Sequence, residues 1–271
     1  MPASTLLDYL HQLRNQGVTH IQVDDQARSV LRELYTRGTA RRPAQKQPAP
    51  SSNTTAPLEI KATGSTPAEK ISSLATIAET WPAAKALGSL RDTMVFSTGN
   101  PEADFMLVGE APGYHEEQKQ EPFVGPAGEK LDQILKAMGL SRDQVYITTV
   151  CKFRPATKNQ TTNNRKPSPE EMSTSLPFLE AEIAVVKPKV IVALGASAAQ
   201  SLLGTEKPIG QLRESWHQFQ GIPLRVSYHP SYLLRQEDGL REKRQVWEDM
   251  LAIMEKLGLP VSEKQRGFFK A

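Results

Sequence analysis

A carboxylate and an aromatic side chain stand in two Gly/Pro-rich loops that follow a short apolar run. The run is Phe105 to Val108, and it breaks at Gly-Glu-Ala-Pro-Gly, residues 109–113, which contain Glu110. A strand that ends in such a loop before a helix places backbone N–H groups and a carboxylate at the carboxyl end of a sheet, where open α/β folds bind ligands. Phe123, in the second loop, is better placed to cover a ligand than to fill a core.

Strands and helices alternate from residue 104 onward. Apolar or β-branched runs predict buried parallel strands, and helical spacing predicts helices between them. Right-handed crossovers then give an α/β fold, a three-layer α/β/α sandwich around a mainly parallel, four-stranded sheet. The predicted strands are Phe105–Val108, Val145–Thr149, Val190–Leu194 and Leu224–Tyr228, and the predicted helices are Ala127–Met138, Pro169–Val186, Ala196–Leu203 and Arg241–Leu257.

The first 65 residues differ in composition from the rest. Residues 1–40 carry leucines at helical spacing, which predicts a helical appendage that caps the domain or docks a partner protein. Residues 41–65 carry four prolines among small polar residues and predict a flexible linker. Thr66, Pro67 and Glu69 are typical of a helix start. The predicted main domain spans 66–260, and a tail follows over 261–271.

Composition narrows the class of protein and of partner. The chain of 271 residues has one cysteine and hence no internal disulfide, and no run approaches the ~20 apolar residues of a membrane helix. The N-terminus lacks the apolar core of a signal peptide. We expect a cytoplasmic monomer without a membrane contact. The histidines share no spacing that would hold a metal.

The net charge of +3 is concentrated outside the predicted domain. Residues 41–65 hold four basic residues and one acidic residue. Their net charge of +3 equals the net charge of the whole chain. Nucleic-acid contacts would therefore need a local patch. The only candidate is a run without an acidic residue, made of Lys152, Arg154, Lys158, Arg165 and Lys166.

Five motifs, in this order, resemble the uracil-DNA glycosylase superfamily. They are GEAPG (109–113), PFVGPAG (122–128), VYITTVCKFRP (145–155), PKVIVALG (188–195) and YHPSYLLR (228–235). The resemblance covers roughly residues 90–255 and is nearest the family 4 branch, which is usually built around an iron–sulfur cluster. It implies a monofunctional glycosylase of base-excision repair, which hydrolyses the N-glycosidic bond of uracil or a related deaminated base in DNA.

The resemblance also implies a role for each motif. Glu110 would handle the attacking water or the cationic sugar, and His229, as a neutral imidazole, would donate to the departing base. Phe123 would stack on the extruded base, so that the base is held between this ring and the imidazole. Gly109, Ala111 and Gly113 would offer backbone N–H groups. Local structural roles are the alternatives: a helix cap for Glu110, a hydrophobic plug for Phe123 and a turn for His229.

DNA contacts are expected on both sides of these motifs. Tyr232 to Leu234 resemble the segment that wedges into the gap left by the extruded base, and they are equally compatible with the first turn of a helix. A loop inserted after residue 155 is basic and could track the DNA backbone or simply be solvated. The predicted DNA-binding residues are Lys152, Arg154, Arg165, Lys166, Ser231, Tyr232, Leu233 and Arg235.

Two positions depart from the family pattern. Thr149 stands where relatives usually carry an asparagine that reads the edge of uracil, which puts base preference and activity in question. The cysteines of the cluster are missing: Phe153 and Ser175 occupy two ligand positions, and 81–92 has no cysteine. A single thiolate does not hold a cluster, so we expect no cofactor and apolar packing in its place. The candidates for that packing are Trp81, Phe153, Leu176 and Phe178.

Three functions are therefore compared. The first is a glycosylase for uracil or a related base, with DNA as its partner. The second is a DNA-binding relative with weak or no activity, which the threonine at 149 suggests. The third is a nucleotide-binding α/β protein, which ranks low because the chain has neither a Walker Gly-Lys-Ser/Thr nor GxGxxG.

Overall fold

The computed structural model describes residues 60–234 and 239–269. The predicted helical appendage, most of the predicted linker and Arg235 lie outside the described residues. Within the described ranges, no helix is long and apolar enough to cross a membrane.

Helices and strands alternate along most of the described chain, as the apolar pattern predicts. The helices are α1 (Pro67–Glu79), α2 (Pro82–Ala86), α3 (Tyr114–Lys119), α4 (Pro126–Met138), α5 (Pro169–Val186), α6 (Ala196–Leu203), α7 (Ile209–Leu212), α8 (Leu240–Leu257) and α9 (Glu263–Arg266). The strands are β1 (Leu90–Met94), β2 (Ser97–Gly99), β3 (Phe105–Gly109), β4 (Tyr146–Thr149), β5 (Phe153–Pro155), β6 (Val190–Leu194), β7 (Trp216–Phe219) and β8 (Ile222–Ser227). Short 3₁₀ turns cover Arg142–Gln144 and Pro230–Leu234.

The main sheet has six strands in the order β2-β4-β3-β6-β8-β7. The four predicted strands form its parallel centre, where Leu107 lies opposite both Ile147 and Val192. The two edge strands, β2 and β7, are antiparallel to their neighbours. The mainly parallel sheet is confirmed, and the predicted number of strands was two too few. The edge strands are short and only partly buried, so they lack the continuous apolar run that marks the centre.

Helices cover both faces of the sheet and enclose two hydrophobic clusters. Side chains along β3 alternate between them: Met106 and Val108 face one cluster, and Phe105 and Leu107 face the other. Helices α1, α5 and α6 contribute to the first cluster, while α4 and α8 contribute to the second. Since every residue of β3, β4 and β6 is buried, the three-layer sandwich explains their unbroken apolar character.

Helix α1 begins where its capping residues predict. Thr66 accepts a hydrogen bond from the backbone N–H of Glu69 (3.2 Å), and the Glu69 carboxylate accepts one from the N–H of Thr66 (3.1 Å). Pro67 takes the first helical position, where its missing N–H costs nothing. The same reciprocal pattern starts α5, between Ser168 and Glu171. These caps satisfy N–H groups that a helix start leaves unpaired.

Candidate functional site

The carboxyl ends of four parallel strands surround one pocket of about 660 Å³. The lining comes from the loops after β3, β6 and β8 and from Thr149 at the end of β4, so the pocket lies at the carboxyl edge of the sheet, where α/β folds place ligands. The predicted site residues on its wall are Glu110, Ala111, Gly113, Phe123, Thr149, Arg165, Lys166, His229, Ser231 and Tyr232. Residues that are more than 100 positions apart along the chain therefore share one cavity.

The ring of Phe123 is held in the pocket wall by its neighbours. Its backbone has a φ of 56°, a left-handed conformation that is unusual for a bulky residue. Arg142 donates to the Phe123 carbonyl and to the carbonyl of Pro122 (3.3 Å). A Cβ at Gly128 would lie 1.8 Å from that Phe123 carbonyl oxygen, and one at Gly109 would lie 2.6 Å from the ring. Both glycines are therefore needed for the ring to occupy this place.

Phe123 and His229 contact each other directly. Their ring centroids are 5.5 Å apart with an interplanar angle of 28°, and Phe123 is only 4% exposed. A third ring stacked between them would need a centroid separation of about 9 Å or more, twice that of an ordinary aromatic pair. The two rings therefore leave no room for a base stacked between them, and the expected contact, with Phe123 stacked on the base and the imidazole donating to its carbonyl oxygen, stays a prediction.

His229 has a defined proton position. Its Nδ1 accepts a hydrogen bond from the backbone N–H of Ser231 (3.2 Å) and lies 2.8 Å from the Ser231 hydroxyl oxygen. Burial lowers the pKa of His229 to about 4, although the charge of Glu116 acts in the opposite direction. At neutral pH the imidazole is therefore uncharged, and because Nδ1 is an acceptor, its hydrogen is on Nε2.

Glu110 carries a buried oxygen without a partner. Its Oε1 has no hydrogen-bond partner within the described residues, which is costly for a buried carboxylate and is common where a ligand or water binds. Burial raises the pKa of Glu110 above its ordinary value, while the nearby hydroxyl of Ser197 and the charge of Lys166 favour the charged form. The carboxyl group thus faces the pocket with unused acceptor capacity.

The helix cap that the sequence offered as an alternative role for Glu110 belongs to Glu116. Its carboxylate accepts from the backbone N–H groups of Gly113, Val124 and Gly125, each at 3.1 Å. Glu116 thereby joins the two Gly/Pro-rich loops and was not predicted as a site residue. The spacing of an N-cap residue and a glutamate three positions later could have revealed it. The N–H of Gly113, which we expected to meet a ligand, is already bonded.

Thr149 presents its methyl group to the pocket side rather than its hydroxyl. The hydroxyl donates to the backbone carbonyl of Cys151 (2.7 Å), and Thr149 is only 3% exposed. Its Cγ2 would be 3.1 Å from a Cβ at Gly109, next to the ring of Phe123. This part of the wall is consequently apolar, although the sequence leaves open a polar contact from Thr149.

Three of the predicted DNA-binding residues are buried, so their prediction as DNA contacts was wrong and their roles are structural. Lys152 donates to Thr148 Oγ1 (2.7 Å), to the carbonyl of Thr149 (2.8 Å) and to the Glu182 carboxylate. Arg154 is 2% exposed and ion-paired, and Leu233 packs into the second hydrophobic cluster. A buried, paired cation has no free charge for a phosphate. The sequence run looked basic because its acidic partners are distant along the chain.

Asn164 lines the pocket and was not predicted as a site residue, because charge is the only signal that its loop carries in the sequence. Its side-chain oxygen accepts a hydrogen bond from Arg154 Nε (3.0 Å). Its amide nitrogen would lie 2.8 Å from a Cβ at Gly113, so the donor end points toward the Glu110 loop. The buried Arg154 therefore orients a polar group of the pocket wall.

The residues present do not fit an iron–sulfur cluster. Cys151 is the only cysteine of the chain, and burial raises its pKa to about 12, whereas cluster ligands are thiolates. Phe153 and Ser175, at the expected ligand positions, are buried. Trp81 meets Phe178 edge to face with centroids 5.1 Å apart, and Leu176 packs against the same hydrophobic cluster. Within the described ranges, no group of three or more His, Cys, Asp or Glu side chains is arranged to hold a metal.

Comparisons with known proteins agree with this arrangement of fold and pocket. The sequence model of the Uracil DNA glycosylase superfamily matches residues 96–251. The chain is 39% identical over 164 residues to the type-4 uracil-DNA glycosylase of Thermotoga maritima, which covers 59% of this chain and 81% of that protein. It is 33% identical over 191 residues to the type-4 uracil-DNA glycosylase of Archaeoglobus fulgidus, with coverage of 68% and 89%. For the type-4 enzyme of Pyrobaculum aerophilum the identity is 36% over 157 residues, with coverage of 55% and 77%.

Proposed function

Because the chain belongs to the uracil DNA glycosylase superfamily, we propose that it hydrolyses the N-glycosidic bond of uracil, or a related deaminated base, in DNA and leaves an abasic site. One observation carries the proposal: a carboxylate, a neutral imidazole and an aromatic ring from three distant motifs line a single pocket. Such an enzyme has to take the nucleotide out of the duplex, hold the base and stabilise its developing charge.

His229 acts on the leaving base. Breaking the bond between the base nitrogen and C1′ moves the electron pair onto the base, so negative charge grows on its carbonyl oxygens. The Nε2–H of neutral His229 donates to such an oxygen, and its hydrogen is fixed there by the bond from Ser231 to Nδ1. Because the pKa is about 4, the imidazole remains a neutral donor throughout the neutral range.

Glu110 acts on the other side of the breaking bond. In its charged form, the unpartnered Oε1 accepts a proton from the attacking water or favours the positive charge on the sugar. Ser197 and Lys166 support that charged form against burial. In the balanced reaction, water adds to C1′, and its proton ends on the departing base.

Phe123 and the pocket rim supply binding. Since His229 covers one face of the Phe123 ring, the base is held through the rest of the ring and the adjacent apolar wall at Thr149. Lys166 and Tyr232 are exposed at the rim and are proposed as contacts to the DNA backbone and to unstacked bases. Ser231 is proposed to act through His229. Arg165, which is engaged by Glu171, contributes to the wall rather than to phosphate binding.

The apolar wall at Thr149 favours a second candidate, a DNA-binding relative with weak activity. A pocket without a hydrogen-bonding group at this edge discriminates less between bases. We expect Thr149→Asn to raise the preference for uracil over cytosine by about 10-fold or more, as restored hydrogen bonding does elsewhere. The ratio of excision rates on matched uracil and cytosine oligonucleotides measures it. An unchanged ratio, with a folded variant, counts against a reading role for position 149.

The proposed activity is tested with labelled oligonucleotides that carry one uracil, hypoxanthine or xanthine, followed by alkali. We expect strand scission with the wild-type protein and a loss of about 10²-fold or more in Glu110→Gln and in His229→Ala. Matched controls outside the pocket are Glu248→Gln, on the exposed face of α8, and His217→Ala, whose ring contacts the carbonyl of Leu212. Binding without scission by the wild-type protein would replace the first candidate by the second.

A further inference from the structure

The loop of residues 156–167 forms one wall of the pocket but contains neither helix nor strand. It links β5 to α5 and contributes Asn164, Arg165 and Lys166 to the lining. A loop of this length has no ladder of backbone hydrogen bonds to hold its shape, so other contacts have to do so. Two arginines provide them, one on each side of Asn164.

Arg154 holds the first half of the loop from inside. Its guanidinium donates to the carbonyls of Thr161 (2.9 Å) and Asn163 (2.8 Å) and to the side-chain oxygen of Asn164 (3.0 Å). Its remaining nitrogen pairs with Glu117 at 2.8 Å, and both side chains are almost fully buried. A planar fork with several donors fixes direction as well as distance.

Arg165 holds the second half. It donates to the carbonyls of Ala156 (2.7 Å) and Ser89 (2.8 Å) and pairs with both oxygens of Glu171 (2.8 and 2.5 Å). Ser89 also donates its hydroxyl hydrogen to Glu171 (2.6 Å). One residue of the loop is thus tied to the segment before β1 and to the first turn of α5.

Glu171 is the centre of this second network. Its side chain is 1% exposed, and it additionally accepts from the backbone N–H of Ser168 (2.7 Å). Burial alone raises the pKa of Glu171, but the hydrogen bonds from Arg165, Ser89 and Ser168 outweigh it and hold the pKa at about 2. The carboxylate is therefore charged at any ordinary pH.

The segments that these bonds join are those on which the resemblance places cluster ligands. Phe153 begins β5, Ser175 lies one turn after Glu171 on α5, and Ser89 belongs to the segment 81–92. Ala156, just after β5, also donates its N–H to the Ser89 carbonyl (2.8 Å). The side chains do not fit a cluster, yet the same three parts of the fold are cross-linked.

We propose that the Arg165–Glu171–Ser89 network, with Arg154–Glu117, replaces a metal cluster as the cross-link that holds residues 156–167, and that Glu171 positions Asn164 and Lys166 in the pocket. The role in the reaction rests on the proposed function; the cross-link itself does not. Glu171 does not itself line the pocket and acts through Arg165, which does. Placement of a pocket wall matters because a misplacement of ~1 Å can cost about 10²-fold in rate.

Limited trypsin digestion tests the cross-link without reference to activity. Glu171→Gln keeps the shape of the side chain and leaves the trypsin sites after Lys158 and Arg165 intact. We expect cleavage within 156–167 to be about 10-fold faster or more, because local opening governs proteolysis when the fold stays intact. Arg165→Lys, which keeps the charge but loses the fork, is the second variant if Glu171→Gln does not fold. Glu248→Gln, which removes the exposed pair with Arg244, is the matched control.

Single-turnover kinetics test the positioning role. Glu171→Gln should lower the rate constant of excision by about 10-fold or more and change KM by less than about 3-fold, since geometry rather than affinity is lost. Glu171→Asp should recover part of the rate. In an Asn164→Ala/Lys166→Ala background the same substitution should cost less than about 3-fold, because the residues it positions are gone.

Cleavage of the loop at the wild-type rate in both folded variants overturns the cross-link. Faster cleavage with an unchanged excision rate, or an equal cost in the Asn164→Ala/Lys166→Ala background, overturns the positioning role. If the wild-type protein itself excises no base, the proposed function fails, and the digestion still decides the cross-link.

Discussion

Burial shifts the pKa values of the two proposed catalytic residues in opposite directions. It lowers the pKa of His229 to about 4 and raises that of Glu110 above its usual value. Desolvation penalises the charged form in both cases, so it produces a neutral base and a more easily protonated acid. This environment suits the role proposed for His229, which requires a neutral imidazole as the hydrogen-bond donor. At Glu110, Ser197 and Lys166 act against burial and favour the charged form.

We predict that Glu110→Gln makes the protein more stable and less active. A carboxyl group whose pKa is raised on folding contributes stability below its unfolded pKa and loses it as pH rises through the folded pKa. The variant should therefore gain about 1 kcal/mol at pH 8, the low end of the cost of an unpaired buried polar group, and little at pH 4. Denaturant unfolding at the two pH values measures the difference.

The activity of the same variant gives the complementary result. Wild-type excision should increase with pH through a pKa above the ordinary glutamate value, since the carboxylate is the active form. In Glu110→Gln the rate should be lower by about 10²-fold and independent of pH in that window. A variant that is less stable than wild type at pH 8, or one that retains the acid limb, would contradict this account.

At the scale of elements, the pocket depends on how closely α4 and β3 approach the Phe123 loop. Gly128 lies in the first turn of α4, where its Cα faces the Phe123 carbonyl, and Gly109 ends β3 beneath the ring. Arg142, from the 3₁₀ turn after α4, donates to the carbonyls of Pro122 and Phe123. These contacts together hold Phe123 in its left-handed backbone conformation.

We predict that Gly128→Ala displaces the Phe123 loop. Alanine normally favours a helix by about 1 kcal/mol over glycine, but here its Cβ would lie 1.8 Å from a backbone oxygen that no rotamer change can move. The steric overlap should outweigh the helix preference of alanine, so the free energy of unfolding should fall by about 1–3 kcal/mol. Chemical denaturation measures this, and excision should fall with it.

Gly210→Ala provides the matched control, because a Cβ at that helical position meets no atom within 4 Å. Equal behaviour of the two variants would show that the close contact at Gly128 is unimportant.

At the scale of the whole molecule, ion pairs between distant segments of the described chain neutralise most of the basic run that the sequence singles out. Lys152, Arg154 and Arg165, which form most of the basic run, are paired with Glu182, Glu117 and Glu171. Lys158 and Lys166 remain exposed in the loop. DNA contacts are therefore expected to be few around the pocket, in keeping with recognition of an extruded nucleotide.

We predict that the purified protein contains no stoichiometric iron or acid-labile sulfide. A single buried thiol with a pKa of about 12 is a poor ligand, and a cluster needs several thiolates. Metal analysis of protein purified without oxygen measures the content, and dialysis against a chelator should leave the thermal stability unchanged. About one cluster's equivalent of iron per chain would refute this prediction.

The sequence by itself determined the four central strands, the long helices beside them and the place of the pocket. Strands β3, β4 and β6 are fully buried and therefore read as continuous apolar runs, and the cap at Thr66 uses residues three positions apart. Both signals come from residues close together in the sequence, so they can be recognised without a structure. The motifs around Glu110, Phe123 and His229 each end a strand or precede a helix, and parallel strands bring such ends together.

Only the tertiary structure decided what the polar side chains do. Lys152 meets Glu182, 30 residues away, and Arg154 meets Glu117, 37 residues away, so a run that looked basic is largely neutralised inside the fold. The hydroxyl of Thr149 turns to a backbone carbonyl, and Ser231 selects the tautomer of His229. Hydrogen bonds and burial depend on neighbours in space, and spacing along the chain does not encode those neighbours.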